Sequence, residues 1–207
     1  FIPGGRYLYY GGRDIKFYNN CFLMRATDTR EGWGELVNNC TVALMSGGGI
    51  GVDYSALRPR GSKLKRSGGV SSGVVPLANI INEVGRNVIQ GGSRRSAMYA
   101  SLNWRHKDIH EFMYAKNWTP EQMKAKEDDF NAPAPFDMTN ISINWDDNFK
   151  KKVENGNIPP IWYQSVRRMC KTGEPGHSYN FGKDSNETLR NACAEVTSED
   201  DSDVCNL

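Results

Sequence analysis

Short apolar runs that suit strands alternate, along the whole chain, with longer stretches whose apolar residues recur at helical spacing. This alternation constrains the fold more than any other feature of the sequence. FYNNCFLMRA reads as a strand with Cys21 near its start. TDTREGWGELVNNCTVALM follows as a helix, with Asp28 or Thr29 as candidate caps and Glu31 in the first turn, where the helix dipole favours it. Trp33, Leu36, Val37, Val42 and Leu44 mark its buried face. Three glycines end that helix, and IGVDY is the next short strand. VVPLANIINEVGRNVIQ reads as an amphipathic helix, GGSRRSAMYASLNW as a Gly-led loop running into a strand, HKDIHEFMYAKNW as a helix and DMTNISINW as a strand. Such a succession predicts α/β architecture with a parallel sheet or barrel, not a bundle or a sandwich.

Other segments carry weaker signals. The opening FIPGGRYLYYGG reads as extended or turning chain. RPRGSKLKRSGGVSSG is a basic, Gly/Ser-rich surface loop, expected to be flexible or ordered by a ligand. The polar stretch from Thr119 to Phe136 reads as a loop with partial helix, and DDNFKKKVENG as a solvated segment. IWYQSVRRMCKTGEPG reads as a helix closed by Gly173, and LRNACAEVTSEDDSDVCNL as a short strand and a turn. No internal repeat or linker divides residues 1–207, so one unit is expected. The chain stops at Cys205-Asn206-Leu207, in what reads as the middle of a motif, which predicts a fragment or a partner that supplies the rest.

Composition removes some functions. A formal net charge of +2 gives no electrostatic case for binding duplex nucleic acid. No run approaches the roughly 18 apolar residues of a membrane span. The opening lacks a basic segment followed by an apolar core, so no secretory signal is expected and the reading is cytoplasmic. The five cysteines, Cys21, Cys40, Cys170, Cys193 and Cys205, are odd in number and widely spaced, with no CxxC pair. That pattern argues against structural zinc, and a reducing compartment argues against structural disulfides.

The chemistry-bearing group is Asn191-Ala192-Cys193-Ala194-Glu195. On an extended chain its amide, thiol and carboxylate would point to one face. From spacing alone the favoured reading is a strand with two surface polar residues and a buried thiol. Five separated blocks decide the matter: YNNCF, DTREGWG, SGGGIGVDYSALRPRGS, QGGSRRSAMYASLNW and NETLRNACAEVTSEDDSDVCNL. In this order they resemble the catalytic subunits of ribonucleotide reductases, most closely the adenosylcobalamin-dependent class, over essentially the whole chain.

The resemblance implies a ten-stranded α/β barrel of the ribonucleotide reductase type. This chain would supply about the first half of it, plus the finger loop that carries Cys193 to the centre. It also implies roles. Cys193 matches the radical-bearing thiol that takes the 3′-hydrogen of the ribose. Glu195 matches the base for the 3′-hydroxyl, and Asn191 the amide that positions both. Cys21 and Cys205 match the redox-active pair that ends as a disulfide, while Cys40 and Cys170 match no role. Asn20, Gly48 and Gly49 match substrate contacts, although Asn20 stands where many relatives place a small hydroxyl residue and the glycines also suit a tight helix-to-strand turn.

Two loops resemble allosteric specificity elements. In the first, Arg58 and Lys65 match ligands of effector phosphates, assisted by Arg60, and Asp28 matches a reader of the effector sugar or base. In the second, Gln90 and Arg94 match the readers that pass the effector's identity to the substrate site. The implied ligands are a ribonucleoside di- or triphosphate, a dNTP effector with Mg, adenosylcobalamin and a thioredoxin-like reductant. The remaining C-terminal half, and a second copy in a homodimer, are the implied protein partners. Two alternatives stand beside this reading: the large subunit of the di-iron-dependent class, and a non-catalytic nucleotide-binding or assembly fragment. Half a parallel barrel would expose two sheet edges and a large apolar face, so the isolated chain is expected to be inactive and poorly soluble.

Overall fold

In the computed structural model, the described residues are 5–14, 17–65, 68–88 and 96–205. Five strands, β1 (Phe22–Arg25), β2 (Ile50–Asp53), β3 (Met98–Asn103), β4 (Thr139–Trp145) and β5 (Gly176–Tyr179), form one parallel sheet in sequence order. The register pairs Leu23 with Gly51, Gly51 with Tyr99, Tyr99 with Asn140, and Asn144 with Ser178. Helices occupy the connections: α2 (Arg30–Met45), α3 (Val74–Asn87), α4 (Ile109–Met113), α5 (Pro120–Asp128), α6 (Asp147–Glu154) and α7 (Pro160–Thr172). A short α1 (Gly5–Tyr10) precedes β1, and a two-stranded antiparallel ribbon, β6 (Leu189–Arg190) with β7 (Thr197–Ser198), follows β5. This is the α/β parallel sheet that the strand–helix alternation predicts. Among the described residues, no helix is long and apolar enough to cross a membrane.

Strand alternation splits the sheet into two chemically different faces. One face carries Ile50, Val52, Met98, Ala100, Leu102, Ile141, Ile143 and Trp145, which pack with Leu36, Leu44, Leu77, Ile81, Phe112 and Phe149 into the main core. The other face is polar. Tyr99 and Ser178 share a buried hydrogen bond of 2.7 Å, and Asn144 Nδ2 donates to Ser101 Oγ at 3.1 Å. Parallel strands covered on both sides ordinarily read as continuous apolar runs. Here the polar face is the one the ribbon lies against. Among the described residues, this side of the sheet therefore carries polar groups where half a barrel is expected to expose an apolar face. The free edge of β1 is also closed: Ser202 N donates to Leu23 O, Leu23 N to Asp203 O, and Cys205 N to Cys21 O, at 2.9, 2.9 and 2.8 Å.

The helices follow local rules. Thr29 caps α2 by accepting from Gly32 N, and Gly173 ends α7 in the left-handed region with φ of 80°. The stretch expected as loop and partial helix contains α5, started by a reciprocal capping box between Thr119 and Gln122. The segment expected to be merely solvated is α6, because Asp146 accepts from the backbone of Asn148 and Phe149 and Phe149 anchors the helix to the core. The opening expected to be extended holds α1, where the buried Arg6 donates to Phe17 O and Ser46 O.

Candidate functional site

The ribbon β6–β7 crosses the polar face of β1 and β2 at glycines. A Cβ on Gly51 would lie 1.7 Å from Arg190 O, and one on Gly49 would lie 2.9 Å from both Ala192 Cβ and Cys21 Sγ. Only glycine lets the two backbones approach this closely. Asp53, at the end of β2, fixes the root of the ribbon: its Oδ2 accepts from Thr188 Oγ1 at 2.7 Å while Oδ1 accepts from Ser55 N at 3.0 Å. Arg190 reaches Asn180 Oδ1 at 2.9 Å, tying the ribbon to the chain just beyond β5.

The tip of the ribbon is a turn and not the extended run that the i, i+2, i+4 spacing predicts. Ala194 has φ of 68° and its N–H donates to Asn191 O at 3.0 Å, which folds the chain back. The turn still gathers the polar groups. Asn191, with no solvent exposure, donates from Nδ2 to Glu195 Oε1 at 2.8 Å and accepts at Oδ1 from Val196 N at 3.2 Å. Cys193 and Glu195 are exposed.

The two remaining cysteines of interest meet below the tip. Cys205 N donates to Cys21 O, so the segment leaving the ribbon returns alongside the first strand. Both are buried free thiols, and Cys205 packs with Leu23 and Leu189. Burial pushes the Cys21 thiol above the usual range, and the nearby Cys193 and Cys205 add to this, against hydrogen bonds from the Ala192 and Gly49 backbone. Burial likewise raises Cys205, with the Glu195 charge adding to it and a hydrogen bond to Asn191 opposing it. Both are therefore held as neutral thiols near neutral pH. Cys40 sits in the core against Met24 Sδ at 3.6 Å, where burial pushes it up to about 12, and Cys170 is exposed on α7.

Asn20 Oδ1 accepts from Gly49 N at 3.1 Å, and the Gly48 N–H donates to Ala43 O at 2.9 Å. A Cβ on Gly48 would lie 2.5 Å from the Phe22 ring. These three candidate substrate contacts thus line the junction between α2 and β2, beside Cys21. Asp28 and Arg58 also come together: Arg58 Nε donates to Asp28 Oδ2 at 2.7 Å, in front of the N-terminus of α2. Arg60 is directed elsewhere, its guanidinium held by Glu111. Lys65 is exposed at the end of an antiparallel hairpin, in which Lys63 bridges Val70 and Leu64 N donates to Gly69 O. The stem of the basic loop, expected to be flexible or ordered by a ligand, is paired as this hairpin. Gln90 and Arg94 lie outside the described residues. Asp53 and Thr188 are not singled out by the sequence reading: both lie within the blocks that carry the resemblance, but no role attaches to either there.

A parallel α/β sheet that seats a cysteine-tipped ribbon on glycines, with two further thiols beneath the tip, is the architecture of part of an α/β barrel. The family profile described as "Ribonucleotide reductase, barrel domain" matches residues 19–160, and the chain belongs to that family. The chain is 27% identical over 231 residues to a ribonucleoside-diphosphate reductase large subunit of Plasmodium falciparum, covering 91% of this chain and 29% of the relative. It is 27% identical to the corresponding large subunit of Danio rerio, covering 97% and 30%. It is also 28% identical to a vitamin B12-dependent ribonucleoside-diphosphate reductase of Thermoplasma acidophilum, covering 85% and 23%. The chain thus spans under a third of the length of these relatives.

Proposed function

We propose that this chain is the thiol-bearing half of a ribonucleotide reductase barrel. The observation that carries the reading is the convergence of Asn191, Cys193, Glu195, Cys21 and Cys205 at one end of the ribbon. In this reading a thiyl at Cys193 takes the 3′-hydrogen of the substrate, and Glu195 accepts the 3′-hydroxyl proton with Asn191 holding its carboxylate. The 2′-hydroxyl leaves as water with a proton from the Cys21/Cys205 pair. The pair closes to a disulfide as its second hydrogen goes to C2′ and the remaining electron, with the proton held by Glu195, reduces the 3′-ketone; Cys193 then returns its hydrogen to C3′. The balance is ribonucleotide plus two thiols to deoxyribonucleotide, water and disulfide. Keeping Cys21 and Cys205 neutral suits them as proton donors. A thioredoxin-like dithiol then reopens the disulfide.

Adenosylcobalamin, when bound, supplies the one-electron chemistry that starts the thiyl. Cys193 is the residue of this chain that would face it, and its exposure at the tip fits removal of its hydrogen from outside the ribbon. A second reading, the di-iron-dependent large subunit, is favoured by the eukaryotic large subunits among the relatives. The relatives' names favour a diphosphate substrate. Asp28, Arg58 and Lys65, with Mg and with Gln90 and Arg94, form the dNTP effector site in both readings. The assembled reductase separates them: turnover that requires added adenosylcobalamin supports the first class, and cobalamin-independent turnover overturns it. No turnover of any ribonucleotide by the complete protein overturns both, in favour of an assembly or nucleotide-binding role.

A further inference from the structure

The turn between β3 and α4 grips the candidate effector hairpin at both of its ends. Asp108, only 6% exposed, accepts from Arg60 N through both carboxylate oxygens at 3.0 Å, and from Val74 N through Oδ2 at 3.1 Å. Arg60 is where the hairpin begins, and Val74 is where it ends and α3 starts. The residue preceding α3 is Gly73, which has no side chain to cap the helix, so Asp108 provides the carboxylate from a distant part of the chain. Gly73 is required for this approach: a Cβ there would lie 2.6 Å from Asp108 Oδ2 and 2.8 Å from Arg60 Cβ, at φ of +85°.

The grip extends on both sides of Asp108. His106 Nδ1 accepts from Asp108 N at 3.1 Å, which leaves Nε2 as the protonated nitrogen, donating to Leu57 O at 2.8 Å. Glu111 holds the Arg60 guanidinium in a two-pronged pair. Leu57 O and Arg60 N flank Arg58. His106 and Asp108 therefore fix the backbone on either side of the arginine that meets Asp28, and Glu111 holds the adjacent Arg60 side chain. They belong to the segment that directly follows β3.

We infer that His106, Asp108 and Glu111 form a clasp that sets the position of the effector hairpin relative to β3, with Asp108 as its positioning residue. This rests on the reading of Asp28, Arg58 and Lys65 as the dNTP site. The clasp touches no nucleotide. It acts by holding Arg58 and the hairpin stem where phosphates can be met, so that loosening it lowers effector affinity and leaves effector-free chemistry alone.

The test uses the complete reductase and its Asp108→Asn variant, in which the amide nitrogen replaces one acceptor oxygen, with binding of each of the four dNTPs measured by equilibrium dialysis. Effector-free turnover is measured beside it. The expected result is a dissociation constant raised at least about five-fold, unchanged effector-free kcat and KM, and recovery of effector-dependent substrate choice at saturating dNTP. Wild-type affinity in Asp108→Asn overturns the clasp, as does a loss of effector-free turnover equal to the loss of effector response. If the parent reductase binds no dNTP, the effector reading itself falls, and the clasp with it. Should Asp108→Asn not fold, Gly73→Ala, which crowds the same junction, carries the same expected and overturning results.

Discussion

Asn191 spans the tip of the ribbon to reach Glu195, joining a fully buried amide to an exposed carboxylate by a 2.8 Å hydrogen bond. The same amide oxygen takes the Val196 N–H, so one side chain shapes the turn and aims the base. Asn191→Ala removes both hydrogen bonds, freeing the Glu195 carboxylate and the Val196 N–H. The expected outcome is a loss of about 10²-fold in kcat/KM of the assembled reductase, with folding stability lowered by about 1–3 kcal/mol. Steady-state kinetics and a denaturant titration check the two effects separately.

Gly51 is where the ribbon backbone presses on the sheet. Gly51→Ala places a methyl in the space of Arg190 O and has to lift the ribbon. Turnover is expected to fall at least about 10²-fold, with a stability loss of about 1–3 kcal/mol from overpacking. Gly34→Ala is the control: a Cβ there meets nothing within 4 Å. It should leave turnover unchanged and, within a helix, raise stability by about 0.5–1 kcal/mol.

Asp137 joins α3 and α5 to the start of β4. Its side chain is 1% exposed and bonded to both Arg86 and Lys126. Burial pushes its carboxyl up, but the hydrogen bonds and charges of Arg86 and Lys126 outweigh that and hold it at about 2. A depressed folded pKa means that the unfolded chain takes up the proton first as pH falls. The stabilisation is therefore complete above the ordinary value of 3.8 and is lost as pH falls through about 2. Asp137→Ala, which strands two cations, is expected to cost about 3–5 kcal/mol at neutral pH and to flatten the acid limb of a stability–pH profile.

How far these features could be read in advance depended on where the information lies. The strand–helix alternation is local, so β1 to β4 and most helices are legible, as are the Thr29 cap and the Gly173 stop. β5 is not legible, because Gly176-His177-Ser178-Tyr179 serves the polar face and lacks the apolar pattern of a buried parallel strand. The hairpin stem in the basic loop depends on Asp108, which lies far along the chain. The convergence of Asn191 and Glu195 is legible as chemistry but not as geometry. Its turn depends on a positive φ at Ala194, which nothing about alanine signals. The glycines at 49 and 51 acquire their meaning only once the ribbon is seen lying on them.

The most direct test of the radical-reductase reading is a single-turnover experiment on the assembled enzyme, without external reductant, quantifying the Cys21–Cys205 disulfide by peptide mass spectrometry. One disulfide per deoxyribonucleotide formed, with neither product nor disulfide in Cys193→Ser, is the expected result. Deoxyribonucleotide formed while Cys21 and Cys205 both remain free thiols would contradict it.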